Sequence, residues 1–358
     1  MYTGYLQVQG KGYWDERSFD ESLITTPDLM TMLKNDRRIV TVNPRLESVV
    51  LISHLLETRI TPIVGIVPEE ENAMSGLQKK LVQGSYLSDA SQGILIAEGL
   101  AERLTVGIGD SVILYGQGYQ GSTAAIQLPI EGIVQFPIPK MNNAMVYLSL
   151  AKAQELFNAY DRVTGIALMI EHPKEMVAIQ TEIAARIDSN LFVMNWEEMT
   201  PEIVQAIQTD VASEMIIMFI LYLIIGFGVF GTVMMMTIER TREFGMLIAL
   251  GMKRGRLLLI TTIESLLISM IGAIVGTIAT YPLLYYFYVN PIRVTGELAK
   301  VYVTYGLEPI IPVSIDPSVF LSQAIVVFCI AVIVSLYPLL FIRKLRPVSA
   351  IQGRGGIK

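Results

Sequence analysis

Apolar and polar positions divide this chain into two regimes that meet near residue 200. Before that point they alternate in short runs. TGYLQVQ, residues 3–9, alternates as a strand does, and Gly10-Lys11-Gly12 ends it. Thr26-Pro27-Asp28 predicts a helix start, with a capping hydroxyl, a proline that has no N–H to lose and an acid in the first turn, and the helix stops near Asn35. Strands are predicted over 38–42, 49–56 and 60–67, the last an edge strand because of Pro62. Pro68-Glu69-Glu70-Glu71 opens a helix that Gly84 closes. A β-rich block follows, with strands over 93–97, 111–115, 124–136 and 144–148 and a short helix over 98–104. A helix over 150–157 behind Ser149, a strand over 164–170, a helix over 174–187 and a strand over 191–195 complete the pattern. The reading is one α+β domain over residues 1–200, with a β-rich insertion at about 85–150.

Past Thr200-Pro201-Glu202 the pattern changes. Ile203, Ile207 and Val211 recur at helical spacing and lead into residues 215–238, which carry no charge over 24 positions. At ~1.5 Å per residue that run is roughly 36 Å long, enough to cross a ~30 Å hydrocarbon core. Residues 201 to about 240 read as one helix whose first part, 201–214, stands clear of the bilayer as a stalk. Further apolar runs at 257–289 and 319–342 make three spans, so an α-helical membrane domain occupies 215–358. The second run is longer than a bilayer needs and must tilt, project, or kink at Pro282.

Charge orients these spans. Residues 1–211 hold 15 basic and 26 acidic side chains, a net of −11, whereas 212–358 hold 12 and 7, a net of +5. The connection 239–256 and the tail 343–358 carry five Lys or Arg each, against two in the loop 290–318. The positive-inside rule therefore places connection and tail in the cytoplasm and residues 1–211 on the outer, periplasmic side. The basic residues flank apolar spans without interleaved aromatics, which gives nucleic-acid binding no support. Catalysis finds no foothold either. Gly116-Gln117-Gly118-Tyr119-Gln120-Gly121 fits a dinucleotide pattern, but an extended stretch follows where a helix is required, so it reads as a hairpin loop. Gly10-Lys11 lacks the spacing of a phosphate loop, His54 and His172 lack ligand spacing, and the single Cys329 precludes a disulfide. No metal or cofactor is expected in this chain.

The connection between the first two spans carries the functional signal. Glu239-Arg240-Thr241-Arg242-Glu243 is followed by Phe244, Gly245, Met246, Leu247, Ala249, Leu250 and Gly251, a short amphipathic helix suited to docking a cytoplasmic protein. Glu264 lies about two turns into the second span, where a carboxylate needs a partner; Arg240 or Arg242 is the expected one. Gly272 and Gly276 allow close approach of another helix.

TIERTREFGMLIALGMKRGR with the span after it resembles the permease family that includes FtsX, MacB and the lipoprotein-releasing LolC and LolE. So does the ending Tyr337-Pro338, Arg343, Lys344, Arg346-Pro347. GILIAEGLAERLTVGIGDSVIL and the opening TGYLQVQGKGYWDE look most like the lipoprotein-releasing branch. The resemblance implies a dimer of permease subunits, identical or not, with a separate ABC ATPase docked on the elbow. That ATPase would bind ATP and Mg, and its cycle would drive the outer domains through the stalks. In that branch lipoproteins are passed to a periplasmic carrier from the bacterial inner membrane; FtsX-like control of a cell-wall hydrolase and MacB-like export are the alternatives. The resemblance also implies a further helix before the outer domain. Met1 falls where that helix would just have ended, so a truncated start is expected.

Overall fold

The computed structural model describes residues 3–16, 18–304 and 309–344. The chain divides into two compact units, one of Met1–Gln205 with Thr295–Pro309, the other of Ala206–Val294 with Ile310–Lys358.

The first unit is α+β. Its ten-stranded sheet is built from β1 (Leu6–Gly10), β2 (Ile39–His54), β3 (Glu57–Ile66), β4 (Leu81–Gly84), β5 (Ile94–Ala97), β6 (Ser111–Gln117), β7 (Thr123–Val134), β8 (Val146–Ser149), β9 (Gly165–Ile170) and β10 (Leu191–Asn195). Strand order is β10-β1-β9-β2-β3-β8-β5-β7-β4, and β6 pairs with both β2 and β7. Most pairs are antiparallel; β3 with β8 and β5 with β7 are parallel. One cluster of buried side chains, with Leu6, Val8 and Leu168, lies under α1 (Pro27–Asn35) and α5 (Met176–Ala184). Another, with Ile52, Leu114 and Phe157, gathers β2, β6, β7, α3 (Glu98–Leu104) and α4 (Leu150–Phe157).

Local chemistry sets these elements. Thr26 Oγ1 accepts from Leu29 N–H at 3.3 Å, and Leu29 and Leu33, four apart, are the buried face of α1. Ser149 caps α4 in the same way. Gly65 is required where α4 crosses β3, because a Cβ there would lie 2.3 Å from Ala153 Cβ.

Two expectations for this unit change. The strands read at 38–42 and 49–56 are one 16-residue strand, β2. The polar stretch between them stays extended because its buried groups find partners: Arg45 and Asn43 donate to Glu71 of α2 (Pro68–Ser75), and Thr164 Oγ1 donates to Arg45 O. The helix opened by Pro68 ends at Ser75, not Gly84, because Gly76 adopts the left-handed cap conformation; a 3-10 turn and β4 follow. As expected, the Gly116–Gly121 segment closes a hairpin, running from the end of β6 through the turn that leads into β7.

The second unit is helical. α6 (Pro201–Glu239) is one continuous helix of 39 residues, followed by α7 (Thr241–Ala249), α8 (Arg254–Val289), α9 (Pro317–Val334) and α10 (Leu336–Lys344). Three helices are long and apolar enough to cross a membrane: Pro201–Glu239, Arg254–Val289 and Pro317–Pro338. Pro282 sits inside α8 without ending it. The third apolar run, expected as a single helix over 319–342, is divided at Ser335, since Pro338 has no N–H for the carbonyl one turn earlier. A short helix, Glu297–Thr304, lies in the connection between α8 and α9 and belongs to the first unit.

Candidate functional site

The connection 239–256 folds as a reversed corner. α6 ends at Glu239, Arg240 makes the break, and α7 begins at Thr241. Thr241 Oγ1 donates back to Thr237 O at 3.1 Å, holding the corner from the α6 side. After Ala249 the chain turns at Gly251, whose φ of +97° disfavours a side chain, and α8 starts at Arg254.

Apolar spacing gives α7 two faces. Phe244 is buried with Leu257 of α8 and Ile342 of α10, and Leu247, Ile248 and Met252 pack around them. Gly245 is buried beside Phe244. The other face carries Arg242, Glu243, Met246 and Leu250, all exposed; Leu250 is 85% exposed. Lys253, Arg254 and Arg256 continue this exposed, basic surface into α8. An apolar patch ringed by charge is what a docking face requires, since the patch supplies burial and the charges fix register.

Arg240 is half-buried. Its Nη1 donates to both carboxylate oxygens of Glu264, at 2.6 and 2.7 Å. The Glu264 carboxylate holds the Arg240 guanidinium above its ordinary pKa, chiefly through these hydrogen bonds. Of the two arginines named from sequence, the structure brings Arg240 to Glu264 and leaves Arg242 exposed. The pair ties the end of α6 to the third turn of α8.

Tyr337 of the ending stacks edge-on against Phe230 of α6, with ring centroids 5.2 Å apart. The backbones of Arg343 and Lys344 close α10; Arg346 and Pro347 lie outside the described residues. Met246 and Leu250, read from sequence as part of one apolar face, are four apart and both exposed. Sequence reasoning grouped Phe244 and Gly245 with the docking residues, whereas they form the inner seam. Among the described residues no group of three or more His, Cys, Asp or Glu is placed to hold a metal ion.

An α+β unit joined to helices that cross a membrane, with a charged corner between the first two, defines a membrane protein of the permease class. Residues 3–186 match the MacB-like periplasmic core domain and residues 215–347 the FtsX-like permease C-terminal domain, and the chain belongs to the family of permeases built from these two parts. It is 27% identical over 209 residues to the uncharacterized ABC transporter permease YknZ of Bacillus subtilis, covering 55% of this chain and 50% of that one. It is 23% identical over 289 residues to the macrolide export ATP-binding/permease protein MacB 1/2 of Paracoccus denitrificans, covering 77% and 42%. The chain thus spans about half the length of these curated relatives or less. Among solved structures, the extracellular domain of YknZ matches at a TM-score of 0.39 and 13% identity, covering 53% of this chain and 99% of that one. The periplasmic region of MacB from Actinobacillus actinomycetemcomitans matches at 0.39 and 16%, covering 58% and 94%.

Proposed function

We propose that this chain is the membrane subunit of an ABC transporter, docked through α7 onto a separate cytoplasmic ATPase that binds ATP and Mg. The observation that carries the reading is the two-faced elbow. Its inner face is locked to α8 and α10 through Phe244, Leu257 and Ile342, while its outer face presents Leu250 and Met246 within a ring of charge. Force applied to that face passes through the Arg240–Glu264 pair into α6, whose 39 residues at ~1.5 Å each make a rod of roughly 58 Å. The reading places residues 1–211 on the periplasmic side of the inner membrane, where their movement does the work, and pairs the chain with a second permease subunit. Lipoprotein release to a periplasmic carrier is the finer reading, supported by the resemblance of residues 3–16 and 93–114 alone. The names of the matched relatives, one of them a macrolide exporter, fit export equally.

The test is Arg242→Glu with Leu250→Glu in the full chain, assayed by recovery of the ABC ATPase that co-purifies with the wild type. Two groups lost from a docking face should lower recovery at least tenfold, about 1.4 kcal/mol, with the permease itself still in the membrane. Recovery equal to wild type would sink the assignment of the elbow.

A further inference from the structure

The hairpin of β2 and β3 turns through two residues, Leu55 and Leu56, between the paired His54 and Glu57. Leu55 has φ +53°, in the left-handed region. A branched, bulky side chain is costly there, by roughly 1–2 kcal/mol, and glycine or asparagine would relieve it. Both leucines are nevertheless displayed to solvent, at 88% and 99% exposure. Backbone strain that holds two leucines in water serves nothing within the folded unit, and it points outward.

The face behind the tip continues the apolar surface. Register puts Leu51, Ile60 and Tyr115 in one row across β2, β3 and β6, with Val49 and Pro62 in the next and Ile113 beside Ser53. Leu51, Ile60, Tyr115, Val49 and Ile113 are all exposed, Ile60 by 74%. The other residues of these rows on the same face, Ser53, Thr58, Gln117, Thr123, Ala125 and Gln127, are uncharged, and Glu47 borders them one step beyond Val49. Glu57 and Arg59 stand on the opposite face and pair at 3.0 Å. With ~150–200 Å² available on each fully exposed large side chain, the seven apolar residues offer on the order of 700–800 Å², more than the ~300–600 Å² of the largest patch on a typical monomer and close to the ~800 Å² each partner gives a standard interface.

Knob and hole occur on the same chain. A shallow pocket of about 490 Å³, bordered by Leu51, Ile60, Tyr115, Gln117 and Thr123, lies in this face. The tip stands five residues beyond Leu51, roughly 17 Å along the strand. Two copies laid face to face with antiparallel hairpins place each Leu55-Leu56 tip over the other's pocket, which is the self-complementary contact a two-fold axis demands. The acidity of residues 1–211 opposes association of like copies, but the rows from Val49 to the tip hold no charge, and at physiological salt repulsion fades within ~8 Å.

We propose that this hairpin face is a two-fold contact between the α+β units of two copies of this chain, the Leu55-Leu56 tip of each entering the pocket beside Tyr115 of the other. The experiment uses the full chain in detergent with Cys329→Ser, adding Leu56→Cys and Gln117→Cys singly and together. Within one chain those positions lie on the order of 20 Å apart, beyond the ~7 Å a disulfide spans. Mild oxidation should give a disulfide-linked dimer from the double variant and from neither single one. Adding Leu55→Gly, which removes half the knob, should lower its yield at least fivefold. No dimer, or equal dimer from the single variants, would overturn the proposal. So would a tip cysteine shielded from a water-soluble maleimide without cross-linking, since a bilayer or another protein would then cover it. Neither outcome touches ATPase docking, which is read at Arg242 and Leu250.

Discussion

Arg45–Glu71 in the α+β unit and Arg240–Glu264 in the helical unit are the same chemistry in two solvents. In the first, Arg45 Nε and Nη2 fork onto the two oxygens of Glu71 at 2.8 and 2.9 Å, and both side chains are 1% exposed. In the second, one nitrogen reaches both oxygens, and each partner keeps more than a third of its side chain open. The first pair is walled in by the fold itself, with Asn43 donating to Glu71 at 2.8 Å. The second is open at its edges, on helices whose exposed isoleucines, leucines and phenylalanines make them apolar enough to cross a membrane. A fold that encloses its charges needs the pair for its own integrity. A bundle that leaves them at a boundary can use the pair as a joint.

Breaking one side of the enclosed pair gives the largest effect. Glu71→Ala leaves Arg45 buried with its charge uncompensated and should cost the α+β unit about 3–5 kcal/mol. Urea unfolding followed by tryptophan fluorescence reads this directly, because both tryptophans, Trp14 and Trp196, lie in that unit. Replacing both partners with apolar residues, Arg45→Met with Glu71→Leu, should recover most of the loss. Recovery stays incomplete because Asn43, whose Oδ1 already lacks a partner, then loses its acceptor as well. A single variant as stable as wild type would show that the two pairs do not differ in kind.

At the joint the asymmetry should run the other way between partners. Arg240→Ala strands a carboxylate inside α8 and should cost about 1–2 kcal/mol, a fraction of the ~3 kcal/mol for an acid at mid-membrane. Glu264→Ala frees an arginine at a helix end, where its long side chain reaches water, and should cost less than half as much. The double variant should be more stable than Arg240→Ala alone. Thermal unfolding of the full chain in one detergent ranks the three; equal losses from both single variants would mean that depth in the membrane does not matter at Glu264.

The same contrast governs what was readable from sequence. The helical unit showed itself because its solvent is written on its surface: uncharged runs, flanking bases and a lone Glu264 that had to find one of two arginines. The α+β unit hid its longest strand. Asn43, Arg45 and Glu47 look like a loop in sequence, and only the arrival of α2, 26 residues further on, makes them the polar interior of β2. The Leu55-Leu56 turn was also illegible, since no glycine or asparagine marks it and the strands on either side are apolar. The proposed docking face was half legible: spacing gave the helix, but which face α8 and α10 would cover was not in the local pattern.

A third pair, at the surface of the α+β unit, predicts the smallest effect. Arg38 bridges Asp36 at the end of α1 and Glu182 of α5, at 2.8 and 2.7 Å, with its own side chain a third exposed. The hydrogen bond from Arg38 holds the Asp36 carboxyl below its ordinary 3.8, against the opposing pull of burial. A carboxyl whose pKa is depressed by folding adds stability at pH values above its unfolded pKa, and that contribution disappears as pH falls through the folded value. Asp36→Asn should therefore lower stability by about 0.5 kcal/mol at pH 7, the range of an exposed pair. Wild type and variant should converge as the pH drops below about 3.8. Denaturant unfolding at a series of pH values measures it. A difference as large at pH 3 as at pH 7 would assign the effect to helix capping or packing, and would remove this pair from the comparison.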